Sequence, residues 1–181
     1  MGTGYPPRMP DGRDITFRAT TSGRRLRAFL VRPDGDPAEA RPAVLVVHEM
    51  MGLNDDIRRI ATVFADHGYV ALAPDLLGAG WKPLCIARFF QGLGKGGTGR
   101  PYREMAAFQD WLAAQPYVDA DRIGMAGFCA GGGFAMLYAA RGGRNLRAIA
   151  PFYGALPEDA SIIPDLCPTV ASYGGRDASF G

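Results

Sequence analysis

A cysteine enclosed by glycines, in "GFCAGGG" at 127–133, has the spacing G-x-C-x-G. An apolar run precedes it and a helix-like run follows, so it marks a strand–turn–helix corner on which a thiol would stand as a nucleophile. The chemistry explains the glycines. A turn this sharp brings backbone against backbone on both sides of the nucleophile, and a Cβ at Gly127 or Gly131 would collide. A helix starting at Ala130 also offers its positive end to an anionic sulfur, worth about 0.3–1 kcal/mol. A base or counter-ion is still needed. The same spacing fits Cys129 as a small buried residue filling a glycine-rich corner. Cys85 and Cys167 lack such a context, and the three cysteines match neither a disulfide framework nor a CxxC metal site.

The elements that must position this thiol are legible on either side of it. "DITFRA" and "LRAFLVR" alternate apolar with polar residues, as half-exposed strands do, with "TSGRR" as the turn of an antiparallel hairpin at a sheet edge. From Pro42 the runs become short and apolar throughout: 43–47, 69–73, 122–126, 147–152 and 169–173. Such runs suit strands covered on both faces, hence a parallel sheet between helices. Asn54 can cap a helix with Asp55 and Asp56 in its first turn, with Ile57, Ile60, Ala61, Phe64 and Ala65 on one face and Gly68 as its stop. Further helices are expected over 102–115 and 130–141. The result is an α/β fold with right-handed crossovers.

The chain has 181 residues, 48% of them hydrophobic and 21% charged, which suits one domain over 14–181. Residues 1–13, rich in Gly and Pro, read as a mobile leader. A net charge of +2 gives no electrostatic case for nucleic acid or an anionic membrane. No apolar run approaches the roughly 20 residues that span a bilayer. The first residues have no apolar secretory core, so a cytoplasmic location with reduced thiols is expected. Oligomeric state is not readable here.

Residues 78–100 fit neither period and read as a flexible loop that could border an active site. Gly92, Gly94 and Gly97 match G-x-G-x-x-G, but no convincing strand precedes them and Gly99 and Pro101 delay the next helix, so a dinucleotide site is not expected. Lys95 is followed by Gly96, which excludes a phosphate-binding P-loop. No cofactor and no metal are called for.

In a doubly wound sheet, ligands meet the carboxyl ends of the strands. The residues found there are His48 and Glu49 after the first apolar run, Asp75 after the second and Asp177 after the last. On an extended segment His48 and Glu49 point to opposite sides, so one of them faces the site. His48, His67 and Asp75 read as structural.

"VHEMMGLND", "GYVALAPDLLG", "DRIGMAGFCAGGG" and "YGGRD", in this order and spacing, resemble the dienelactone hydrolase family of α/β-hydrolases over about residues 14–181. The resemblance implies an α/β-hydrolase fold, with a mostly parallel sheet and helices on both faces. It implies Cys129 as nucleophile, Asp177 as the acid of the triad and Glu49 holding or ionising the thiol. The backbone N–H groups of Met50 and Ala130 would then form the oxyanion hole, and Arg88 is the candidate for a substrate carboxylate.

Elbow hydrolases follow the order nucleophile, acid, histidine, whereas both histidines here precede the elbow. The chain may be read as a fragment lacking its last strand, helix and histidine, as a non-catalytic relative, or as one in which His48 has taken the role. With one triad member missing, roughly 10³–10⁴-fold catalysis over water survives elsewhere, so feeble esterase activity is expected of these residues. The expected reaction is hydrolysis of a small activated ester or lactone through a thioester, because a thiolate leaves a tetrahedral adduct more readily than an alkyl alkoxide does. The competing reading is a relative without catalysis, whose cysteine is a redox or binding thiol. A cysteine peptidase is disfavoured, since it would need an acid to protonate the amine.

Overall fold

The computed structural model describes residues 12–36, 38–78, 82–94, 96–143, 145–156 and 159–176. Of the expected leader only Gly12 and Arg13 are among them, and Arg13 already opens a strand. The strands are β1 (Arg13–Arg18), β2 (Arg25–Val31), β3 (Arg41–Val47), β4 (Val70–Pro74), β5 (Val118–Phe128) and β6 (Ala148–Phe152). They form one six-stranded sheet in the order β1-β2-β4-β3-β5-β6. β1 and β2 are the expected edge hairpin, and β2 pairs antiparallel with β4. β3, β4, β5 and β6 are parallel, as their continuous apolar runs predict.

Alternation along β3 divides the core. Val44 and Val46 pack on one face, with Ile57, Ala61 and Ala65 of α1 (Asp55–Asp66). Leu45 and Val47 pack on the other, with residues of α2 (Lys82–Gly94), α3 (Arg100–Ala113) and α4 (Ala130–Ala140). Helices therefore cover both faces.

The Asn54 side chain accepts from the Ile57 N–H at 2.9 Å, and Gly68 follows the helix at φ +89°, so α1 starts and stops where its capping residues predict. Asn54→Ala is expected to cost about 1 kcal/mol, seen as a lower urea midpoint at unchanged slope.

Two expectations need correction. Residues 82–94 are not a loop but α2, whose Cys85 and Phe89, one turn apart, are buried; the Phe89 ring stacks on Phe134 at 5.3 Å. No acidic residue marks its first turn and no basic residue its last, so packing fixes this helix where local signals do not. Gly92 and Gly94 thus lie at a helix end and Gly97 in the turn beyond, the reverse of a dinucleotide-binding turn. Gly99 and Pro101 do not delay α3: Gly99 caps it and Pro101 sits in the first turn, where a missing N–H costs nothing. The second correction concerns 169–173, expected as a strand. Only Thr169 and Ser172 bridge to Ile149 and Phe152, in parallel, and Val170 is 73% exposed.

Candidate active site

Cys129 is the single residue between β5 and α4. Its φ of 52° and ψ of −120° lie in a region that side chains with a Cβ avoid, at a cost of about 1–3 kcal/mol. Hydrogen bonds hold it there. Its N–H donates to the Phe152 carbonyl at 3.0 Å, and its own carbonyl accepts from the Gly132 N–H at 2.8 Å. The flanking glycines are sterically required, as the motif predicts. A Cβ on Gly127 would lie 2.1 Å from the Gly131 oxygen, and one on Gly131 would lie 2.5 Å from the Val47 oxygen and 2.7 Å from the His48 oxygen. The second clash locates the elbow: the first turn of α4 is pressed against the carboxyl end of β3. The carbonyls of Val47 and His48 therefore lie against the helical turn that follows the thiol.

Cys129 is half-buried at the edge of the core, Cys85 is buried and Cys167 half-buried. Burial pushes the Cys167 thiol above its ordinary value. Ala130, the first residue of α4, has an N–H without an intrahelical acceptor. Met50 is 48% exposed, in a turn closed by the Gly52 N–H donating to the Glu49 carbonyl at 3.1 Å.

His48 and Glu49 diverge as alternation predicts. His48 is 1% exposed, while Glu49 is half-buried. The Leu76 N–H donates to His48 Nε2 at 3.1 Å, which leaves the proton on Nδ1 to donate to the Glu49 carbonyl at 2.6 Å. With both nitrogens committed to backbone, His48 is not placed as the base of a triad. Burial lowers its pKa below the ordinary 6.5, against the opposing pull of Asp75 and Glu49. Asp75 is structural too: it pairs with Arg27 at 2.6 Å and accepts from the Gly78 N–H at 2.9 Å. His67, at the end of α1, has Nδ1 2.8 Å from the Val63 carbonyl.

Tyr153 is a residue that the sequence reading passed over. It directly follows β6, has φ 41° and is 42% exposed, and its ring lies 6.4 Å from that of Phe128, the residue before Cys129. Desolvation raises the pKa of its hydroxyl, and the negative charges of Glu49 and Cys129 raise it further. Glu49, Cys129 and Tyr153 thus share one side of the sheet end. The signal was available, since "PFYG" stands after an apolar run as Glu49 does. Asp177 lies outside the described residues. Arg88 falls within α2, but its side chain is not among those described. Among the described residues, no three His, Cys, Asp or Glu side chains gather as metal ligands, and no helix is long and apolar enough to cross a membrane.

The sequence profile of the dienelactone hydrolase family matches residues 26–181. Two curated proteins share the name "Putative carboxymethylenebutenolidase". The one from Salmonella typhimurium is 32% identical over 174 residues, covering 88% of this chain and 63% of the relative; the one from Yersinia pestis is 30% identical over 175, covering 88% and 64%. The chain thus spans under two thirds of either relative. A crystal structure of a dienelactone hydrolase-like promiscuous phosphotriesterase from metagenomic libraries is 28% identical with a TM-score of 0.75, covering 92% of this chain and 70% of that one. The sheet order and elbow are those of the α/β-hydrolase fold.

Proposed function

Because this chain belongs to the dienelactone hydrolase family, we propose that it hydrolyses small activated carboxylic esters or lactones through a thioester on Cys129. The observation that carries this reading is the strained, half-exposed Cys129 with the end of β3 pressed against its helix. Strain of this kind persists where the surrounding structure enforces it, and it concentrates at working sites.

In this reading Glu49 takes the proton of the Cys129 thiol, and the positive end of α4 holds the sulfur anion that remains. Sulfur attacks the carbonyl carbon, and the carbonyl electron pair moves to oxygen, where the N–H groups of Met50 and Ala130 receive it. Collapse breaks the carbon–oxygen bond, and the leaving group departs with its electron pair. Water then attacks the thioester and sulfur leaves as thiolate. Asp177 is the acid of the triad and Arg88 meets a substrate carboxylate. Neither histidine of these 181 residues is placed to take the proton of that water. The polypeptide is therefore expected to release about one leaving group per chain in a burst and then to turn over slowly. The three free cysteines suit the reducing cytoplasm, where we place the protein.

The leaving group tests the proposal. An alkyl alkoxide is expelled less readily than a thiolate, so an adduct with an alkyl ester collapses back to reactants. An enolate or phenolate competes well. An activated aryl ester and an enol lactone should acylate at least about 100-fold faster than an alkyl ester, a difference of roughly 3 kcal/mol in barrier. Equal rates for all three would contradict the thioester route.

A further inference from the structure

His48 is buried at the seam between the turn after β3 and the loop after β4, and it joins them through the backbone. Its Nδ1–H donates to the Glu49 carbonyl, while its Nε2 accepts from the Leu76 N–H. Only the neutral ring protonated on Nδ1 satisfies both, since a carbonyl cannot donate and an amide N–H cannot accept. The bond to Glu49 reaches beyond Glu49. The Glu49 carbonyl and the Met50 N–H belong to one planar trans peptide and point in opposite directions. Holding that oxygen toward the buried ring fixes the Met50 N–H on the other side. The Gly52 N–H, donating to the same oxygen at 3.1 Å, holds the plane from within the turn. The neighbouring carbonyl of His48 itself abuts Gly131 at the start of α4.

We infer that His48 is a positioning residue that fixes the Glu49–Met50 peptide, and through it the Met50 amide that receives the oxyanion. The inference rests on the hydrolase reading above. His48 touches no reacting atom; it acts through one peptide plane. Protonation would set an N–H against the Leu76 N–H and break the seam. The charges facing the ring are Glu49 on its own segment and Asp75 on the loop after β4, both favouring the proton, and burial outweighs them. The unfolded chain therefore takes up the proton first. The stability that the neutral ring contributes is full above pH 6.5 and declines as pH falls below it, and in the folded chain the clamp opens only at a lower pH, once the buried ring itself takes the proton.

Two substitutions separate the two bonds. Asparagine places an amide N–H where Nδ1–H stood and keeps the bond to the Glu49 carbonyl. Glutamine reaches the Nε2 position and keeps the bond to Leu76. With an activated aryl ester, His48→Gln is expected to slow Cys129 acylation at saturation by about 10- to 100-fold, as displacements on the order of an ångström do, with the half-saturating concentration nearly unchanged. His48→Asn should acylate within about threefold of the parent at neutral pH, as expected where the oxyanion donor stays in place, and should lack the parent's loss of rate on the acid side. The Met50 amide resonance reads the positioning without turnover: it should move in His48→Gln and stay in place in His48→Asn. Equal acylation rates in both variants, or a Met50 resonance that responds to both or to neither, would overturn the inference. A parent chain that never acylates Cys129 would instead sink the hydrolase reading, with the resonance test still deciding the role of His48.

Discussion

Gly131→Ala is expected to lower the melting temperature by roughly 2–12 °C. The added Cβ would stand 2.5 Å from the Val47 oxygen and 2.7 Å from the His48 oxygen. Both are backbone atoms, one in the last residue of β3 and one just beyond it, and neither can swing away as a flexible side chain would. Either α4 or the end of β3 must move. Overpacking of this kind costs about 1–3 kcal/mol and occasionally more, and each kcal/mol lowers the midpoint by about 2–4 °C in a chain of this size. In the proposed oxyanion hole the same displacement would part the Met50 and Ala130 amides, so the folded fraction should acylate more slowly as well. Gly124→Ala is the control, because its nearest neighbour, the Ala148 oxygen, would be 3.2 Å away and the required shift is small. Similar melting curves for the two variants would show that the elbow is not pressed on β3 as described.

Cys129→Gly is expected to abolish acylation and yet to give a more stable protein than Cys129→Ala. Alanine keeps the Cβ, and with it the penalty of φ 52° and ψ −120°. Glycine removes that penalty, about 1–3 kcal/mol, and returns about 0.5–1 kcal/mol as extra entropy of the unfolded chain. The difference should be about 1 kcal/mol in favour of glycine, measured as a shift in urea midpoint. An alanine variant as stable as the glycine variant, or more so, would mean that the turn stores no strain.

What could be read from the sequence was what local physics decides. The G-x-C-x-G spacing carries its own steric reason, and Gly127 and Gly131 prove unable to bear a Cβ. Alternation set the β1–β2 hairpin, continuous apolar runs set the parallel strands, and Asn54 and Gly68 set the ends of α1. Alternation likewise separated buried His48 from half-buried Glu49. What escaped depends on partners distant in sequence. The helix α2 carries no charge pattern at its ends and exists because Phe89 stacks on Phe134, 45 positions along the sequence. The run 169–173 looks like a strand in composition, and backbone hydrogen bonds join Pro168, Val170 and Ser172 to residues 149–153, but the pairing amounts to two isolated parallel bridges and no continuous strand. Tyr153 stands after an apolar run, in "PFYG", but its positive φ and its place beside Phe128 emerge only from the fold. The two bonds of His48 were equally hidden, since Leu76 lies 28 residues away.

The reading of Cys129 as nucleophile is tested most directly by peptide-mapped mass spectrometry of the chain after brief exposure to an activated aryl ester. The account predicts one acyl group, on the peptide carrying Cys129, absent from Cys129→Ala and released by added hydroxylamine. Acyl groups only on other residues, or none at all while Cys129 still reacts with iodoacetamide, would contradict it.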